Sequence, residues 1–469
     1  MPTLRLDDLA AGLVAYSAPL PGAVEGITAD SRIVIPGMIF AALPGAQLDG
    51  RTFIPAAVAA GAAAILAPEG TVWPAEVPPR PLLLAADARA ALAHMAARLA
   101  GPQPRVIAAI TGTNGKTSTA DFLRQMFDAG HAASLGTLGL IAPGFPRGES
   151  LTTPDPVSLH ATLAALARAG IGHLAMEASS HGLDQRRLDG VRLAVAGFTN
   201  LTRDHLDYHG DMAAYRAAKL RLFDTLLPQG GAGAFSTEAD DATQGALRAI
   251  AAARGLRLLS VGAAGDDIRL ESATALPDGQ ALALRIFGRA HALHLPLPGR
   301  FQADNALLAA ALAMLAGMAE TDVLEALPRL GAAAYVDYAH TPDALERLLA
   351  ALRPHTDGRL ICVFGAGGDR DPGKRPLMGA VAAAGADIAI ITDDNPRGED
   401  PGLIRAAIRA AAPNAIEIGD RRAAIAEAVA MLRTGDVLVV AGKGHETGQT
   451  MAGITTAFDD AAVLRGLLA

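Results

Sequence analysis

Apolar runs of strand length alternate with amphipathic segments along this chain, and the spacing resets twice. Up to residue 101, MIFAAL, AAILAP and PLLLAAD read as strands, and ARAALAHMAARLA predicts a closing helix. The GPQP that comes next is a linker signal. Residues 105–330 alternate strand and helix. RVIAAIT leads through a glycine loop into a helix, then come HLAMEAS, VRLAVAGFT and a helix around AAYRAAKLRLFDTLL. A hairpin is expected at PDGQ, and then the long helix DNALLAAALAMLAG. From 332 a compact series begins afresh: AAAYVDYA, RLICVFGA, DIAIITDD, AIEIG and DVLVVAG, with helices between. Alternation of this kind predicts an α/β protein with parallel sheets, in three blocks of residues 1–101, 102–331 and 332–469.

Composition narrows the function classes. The 469 residues are enough for two to four domains, and much of the 51% hydrophobic content is Ala, so helix-rich cores are expected. The beginning, MPTLRLDDLAAGL, does not resemble a signal peptide, and runs such as AAVAAGAAAILAP fall short of the about 18 apolar residues of a membrane span. Cys362 has no second cysteine to pair with, which fits a cytosolic protein. A net charge of −8, with no basic stripe carrying aromatics, argues against a nucleic-acid surface. Of the 40 basic residues only Lys116, Lys219, Lys374 and Lys443 are lysines. Where arginine has replaced most lysines, those remaining are candidates for sites where a guanidinium does not serve, chance survival of one or two being the alternative.

The string ITGTNGKTST lies between a strand and the helix TADFLRQMF. Such a loop offers backbone N–H groups and a helix N-terminus to phosphate oxygens. In this pattern Lys116 reaches the β- and γ-phosphates and Thr117 holds Mg²⁺. Gly112 and Gly115 are separated by two residues where the common phosphate-loop pattern has four, so the strand–loop–helix context carries the reading. A tight turn before an ordinary helix is the alternative. Glu177 ends the strand HLAM, His205 lies just past another strand in FTNLTRDHLDYHG, and Lys219 sits on an Ala-rich helix. Singly, each reads as a solvated acid, a capping His and a snorkelling Lys. Together, near a nucleotide loop, they suit phosphoryl transfer assisted by metal ions.

GTNGKTS, MEASSHGL, FTNLTRDHLDYHG, VDYAHTPDAL, GGDRDPGKRPLMG, TDDNPRGED and AGKGHE, in that order, resemble the Mur ligase family over nearly the whole chain. The N-terminal ADSRIVIPGMIFAALPGAQLDG is also similar to the family's uridine-nucleotide domain. The resemblance implies a three-domain architecture: a UDP-substrate domain, a central phosphate-loop ATPase domain with a parallel sheet, and a C-terminal Rossmann-like domain. It implies ATP and Mg²⁺, and an acyl phosphate attacked by the amine of an amino acid. Gly112, Thr113, Asn114, Gly115, Lys116, Thr117 and Ser118, with Asn305, Asp337 and His340, match nucleotide-side positions. For Asn305 a helix N-cap is the other reading. Ser31, Thr152, Thr153, Ser179, Gln185 and Arg187 match contacts to a UDP-N-acetylmuramoyl dipeptide. Thr117, Glu177, His205 and Lys219 match the surroundings of the metals, Lys219 as a carbamate.

The DNPR loop resembles the family version that selects meso-diaminopimelate over L-lysine. These substrates differ by one carboxylate at the far end of the side chain. Arg397, behind Pro396, suits a bidentate clamp on that carboxylate, and Asn395 can bond the same end. Arg370, Asp394, Gly442 and Glu446 match further contacts to the amino acid. The plain alternative is a surface loop whose Arg397 pairs with Glu399 or Asp400. Two departures stand out. Gln302 replaces the family's usual Asn, and LEALPRLG runs into AAAYVDYAH without the usual segment bearing a Gly-Arg pair. Arg329 is the cation at hand there. Rival functions are a ligase for L-lysine, a folate–glutamate ligase, and a weakly catalytic nucleotide-binding protein. A monomer is expected.

Overall fold

A computed structural model describes residues 4–16, 22–45, 48–128, 130–146, 151–276, 279–330, 336–337, 339–356, 358–433, 435–444 and 446–468. The chain forms two compact units, Met1–Leu259 with Ala311–Met318, and Ser260–Ala310 with Ala319–Ala469.

The first unit holds two sheets whose strands are mostly parallel. The smaller has the order Gly26–Thr28, Met38–Ala41, Ala64–Pro68, Leu82–Ala85. Its apolar residues alternate between two cores, one against helix Ala88–Ala100 and one against Ile54–Ala59. The helix Ala88–Ala100 starts where the Asp87 carboxylate accepts from the Ala90 N–H. In the larger sheet the strands Ala232–Ser236, Val195–Phe198, Val106–Thr111, His173–Glu177 and Ala132–Gly136 lie side by side and parallel. Val106–Thr111 is central and buried at every position, which is why it reads as a continuous apolar run. Strand register places the polar groups. Glu177 pairs with Ile110, and Phe198 with Thr111. The glycine loop, Glu177 and the segment after Phe198 therefore leave the sheet at one carboxyl edge, where open α/β sheets gather ligand groups.

The second unit contains an antiparallel meander, Ile268–Leu276, Gly279–Ile286 and Arg289–Leu295. Leu276 pairs with Gly279, where PDGQ predicts a hairpin. A five-stranded parallel sheet comes next, in the order Val336–Asp337, Val437–Ala441, Leu360–Phe364, Ile388–Ile391, Ile416–Glu417. Phe364 pairs with Ile391, and Val363 with Val440. The GGDR, DNPR and GKGHE segments thus leave one edge together. Beneath them Arg421 and Asp460, both fully buried, form a two-pronged ion pair at 2.8 and 2.7 Å, and Arg421 also donates to the Ala441 carbonyl.

Some local expectations change. The long helix runs Arg300–Leu315, so Asn305 lies in its second turn and is not an N-cap. Helix Met212–Arg221 ends in a π turn, Leu222–Leu226. The hairpin Gly448–Met451 with Ile454–Ala457 and the strand Gly26–Thr28 are additions to the elements the sequence predicts. Residues 331–335, where the shortened junction lies, are outside the described residues. No described helix is long and apolar enough to cross a membrane.

Candidate active site

The glycine loop is held closed by its neighbour strand. Gly112 has φ +139°, and a Cβ there would fall 1.8 Å from the Thr199 hydroxyl, so only glycine fits. The Thr113 N–H donates to the Asn200 carbonyl at 2.8 Å, and the Asn114 N–H to the Asn200 side-chain oxygen at 3.0 Å. Gly115, also at positive φ, opens the helix Lys116–Met126, and Ser118 lies in its first turn. Lys116 Nζ donates back to the Gly112 and Thr113 carbonyls at 3.0 and 2.7 Å. Lys219 Nζ, fully buried, donates to the same Gly112 carbonyl at 2.7 Å and lies 4.5 Å from the centre of the Tyr215 ring. Burial, and then the charge of Lys116, push the Lys219 amine well below the ordinary lysine range.

Glu177 is almost fully buried at the end of its strand. Its Oε1 accepts from the Thr117 hydroxyl at 2.9 Å and from the Thr137 N–H at 2.8 Å, and its Oε2 from the Thr137 hydroxyl at 3.1 Å. Burial raises its pKa, against the opposing pull of Lys116. A Cβ on Gly136 would meet Glu177 Oε1 at 2.1 Å, so that glycine makes room for the carboxylate.

A polar network extends from here. Thr152 shares a hydroxyl contact with Thr137 at 3.0 Å. Thr153 donates to the Glu177 carbonyl and accepts from the Ser179 N–H. Arg187 donates to the Thr153 carbonyl at 2.7 Å and to the Gln185 side chain at 2.8 Å. Five of the six residues matched to the UDP-linked substrate are thus gathered next to Glu177. Ser31 starts a 3-10 turn after the strand Gly26–Thr28 and joins this network through no hydrogen bond among the described residues.

His205 adopts a left-handed backbone, φ +52°, and its Nε2 lies 3.4 Å from an Asp204 oxygen. Burial lowers its pKa. His181 packs edge-on against it at 4.9 Å, and Tyr208 and His209 complete a cluster beside Tyr215. His181, His209 and Thr137 are not singled out by the sequence reading, although the first two lie inside quoted motifs. Among the described residues no three His, Cys, Asp or Glu side chains form a metal-binding group. The donors at hand are the oxygens of Thr117 and Glu177, of the hard type that Mg²⁺ takes together with water and phosphate.

In the second unit Asn395 is held on both sides. Its Nδ2 donates to Glu446 Oε2 at 2.6 Å, and its Oδ1 accepts from the Thr450 N–H at 2.9 Å and from Lys443 Nζ at 3.3 Å. Arg397, at φ +53°, donates from Nη1 to the Gly368 carbonyl at 2.8 Å. The alternative partners of Arg397 are engaged elsewhere. Glu399 accepts from Arg375 at 2.8 Å, and Asp400 caps helix Pro401–Arg409. Gly442, at φ +116°, lets Asp394 approach, since a Cβ would lie 2.6 Å from Asp394 Oδ2. The Pro396 carbonyl is similarly close to Gly368. Arg370 is exposed. Lys374 donates to the His340 carbonyl at 3.0 Å. Asn305, in the same unit, is buried and donates to Gln302 at 3.4 Å. The side chain of Asp337 lies outside the described residues.

Comparison with known proteins decides the family. A Caulobacter vibrioides protein named UDP-N-acetylmuramoyl-L-alanyl-D-glutamate--2,6-diaminopimelate ligase is 55% identical over 462 residues, covering 94% of each chain. This chain belongs to the Mur ligase family. A relative of the same name from Mesorhizobium japonicum is 50% identical, covering 99% of each chain. Family models of the catalytic, middle and glutamate ligase domains match residues 23–114, 110–313 and 324–444. A solved structure of a UDP-N-acetylmuramoyl-L-alanyl-D-glutamate--2,6-diaminopimelate ligase superimposes with a TM-score of 0.71 at 32% identity, covering 99% of each chain. In this Mur ligase both edge clusters are built from several segments separated in sequence.

Proposed function

We propose that this Mur ligase adds meso-2,6-diaminopimelate to UDP-N-acetylmuramoyl-L-alanyl-D-glutamate, driven by ATP, in cytoplasmic peptidoglycan precursor synthesis. The observation that carries the reading is the Asn395–Glu446–Arg397 group. It sets an acid, an amide and a guanidinium at one sheet edge, in a chain half identical to relatives named for this reaction. Diaminopimelate ends in an ammonium and a carboxylate at its distal centre. Glu446 suits the first, and Arg397, steered by the Gly368 carbonyl, suits the second.

The acceptor carboxylate does not react with an amine at neutral pH, because its leaving group is oxide. Transfer of the γ-phosphoryl group from ATP to that carboxylate gives an acyl phosphate and ADP. The amine then adds to the carbonyl, and phosphate leaves. In this reading the loop from Gly112 to Ser118 cradles the phosphates, and Lys116 swings from its backbone carbonyls onto the transferring group. Thr152, Thr153, Ser179, Gln185 and Arg187 orient the UDP-linked dipeptide, with Ser31 on the uridine side, and Asn305, Asp337 and His340 serve the nucleotide. Thr117, Glu177, His205 and a carbamylated Lys219 would hold Mg²⁺, which when bound neutralises phosphate charge. The depressed Lys219 amine favours its neutral form, the form that adds to CO₂ and releases a proton to leave a carbamate. Residues 1–101, 102–331 and 332–469 would be the three working domains.

The test is phosphate release with ATP, Mg²⁺ and UDP-N-acetylmuramoyl-L-alanyl-D-glutamate, adding meso-diaminopimelate, L-lysine or neither. Release that depends on meso-diaminopimelate, with the ligated product seen by mass, is expected. Equal use of L-lysine would overturn the assignment to Arg397 and leave a ligase. No release with either, from folded protein that binds ATP, would overturn the ligase and direct attention to the junction near Arg329.

A further inference from the structure

Lys443 is one of only four lysines, and its side chain is completely buried. Its Nζ reaches three acceptors: the Gly448 carbonyl at 2.6 Å, Glu446 Oε2 at 3.2 Å and Asn395 Oδ1 at 3.3 Å. An ammonium has three rotatable donors on a slender stem, whereas a guanidinium is a planar fork, so arginine would not serve these acceptors. Because Lys443 and the Thr450 N–H both claim Asn395 Oδ1, the amide nitrogen must face Glu446. Glu446 Oε2 then accepts from both residues, which leaves Oε1 without a hydrogen-bond partner among the described residues. The Glu446 side chain keeps 29% exposure, so the carboxylate is open to a ligand.

Charge points the same way. Arg375 is paired with Glu399 and Arg421 with Asp460, so those pairs are closed. Around the rest of this edge Arg370, Lys374, Arg397 and Lys443 stand among Asp369, Asp371, Asp394 and Glu446. A ligand end bearing only an ammonium meets a Glu446 already shared with Lys443 and leaves Arg397 on a carbonyl with no carboxylate to pair. An end bearing both an ammonium and a carboxylate supplies that carboxylate.

We propose that Lys443 is a positioning residue that determines amino-acid specificity. By fixing Asn395 and occupying one oxygen of Glu446, it makes the site demand a distal carboxylate as well as an ammonium. The inference rests on the diaminopimelate reading above and adds to it a residue that touches no substrate.

The experiment compares the full-length chain with Lys443→Met in steady-state phosphate release, using meso-diaminopimelate and L-lysine as acceptors, with KM for ATP alongside. The expected result is a fall of at least tenfold in the ratio of kcat/KM for meso-diaminopimelate over L-lysine. It should come through the amino-acid KM, with KM for ATP within twofold of the parent. An unchanged ratio, or a uniform loss across all substrates, overturns the proposal. If Lys443→Met does not fold, Lys443→Arg is read by the same ratio. Should neither fold, Lys443 is a structural residue and the proposal falls. A parent chain that uses no amino acid would instead overturn the function itself, which keeps the two failures distinct.

Discussion

Lys116 and Lys219 donate to one and the same oxygen, the Gly112 carbonyl, at 3.0 and 2.7 Å. Burial, and after it the charge of Lys116, drives the amine of Lys219 toward neutrality, and burial lowers Lys116 as well. If a carbamate at Lys219 is the working form, Lys219→Ala should lower kcat by about 100-fold or more. Acetate, a small carboxylate able to enter the vacated space, should restore part of the rate. A mass increase by one CO₂ on native protein, absent from Lys219→Ala, checks the same point without relying on turnover.

Gly136 and Glu177 lie on adjacent strands with no room for another atom between them. Gly136→Ala should displace the Glu177 carboxylate by enough to lose its bonds to Thr117 and Thr137. A misplacement of about 1 Å costs about 100-fold in rate, and that loss is expected in phosphate release. Unchanged circular dichroism would show that the sheet has survived.

Arg397 owes its direction to the Gly368 carbonyl and to a left-handed backbone. Arg397→Lys keeps the charge but loses the fork. The KM for meso-diaminopimelate should rise by about 10- to 100-fold, the scale of a lost charged hydrogen bond, with KM for ATP unchanged. Initial rates against varied amino acid measure it.

His160 is buried in helix Pro156–Arg168, with Nε2 at 2.9 Å from the Asp189 carbonyl. Burial pushes its imidazole down from 6.5 to about 4. The folded chain therefore binds the proton less readily than the unfolded chain. Stability is complete above pH 6.5 and drains away as the pH falls from 6.5 to about 4, by about 3 kcal/mol in all. Urea melts of the parent and of His160→Gln across that range should show the slope in the parent and a flatter profile in the variant.

Asp460 neutralises Arg421 where neither side chain touches water. Asp460→Ala should destabilise the second unit by about 3–5 kcal/mol, because a buried guanidinium is left unpaired. Arg421 also holds the Ala441 carbonyl, next to Gly442 and Lys443, so weaker use of the amino acid is expected as well. Thermal melting and the amino-acid KM report the two effects.

Much of the architecture is legible in the residues alone. Strand–helix alternation predicts parallel sheets, and the glycine loop, DNPR and GKGHE segments each come after an apolar run, so their emergence at carboxyl edges is a consequence of parallel topology. The scarcity of lysine singles out Lys116, Lys219, Lys374 and Lys443 without any knowledge of contacts. Their surroundings are not legible in the same way. Thr137 is separated from Glu177 by 40 residues, and Lys443 from Asn395 by 48. Neither pairing leaves a local pattern. The start of the long helix also differs from the expected one. It begins at Arg300, ahead of the expected DNALL, and residues 306–313 within it are fully buried.

The order of the elements and the identity of the reactive groups were properties of the sequence, because they depend on near neighbours and on side-chain chemistry. Tertiary structure decided which oxygen of Glu446 is spoken for, which way Asn395 faces, and which two lysines share the Gly112 carbonyl. Those outcomes depend on strand register, which brings distant segments within about 3 Å of each other, the range at which hydrogen bonds and charges act.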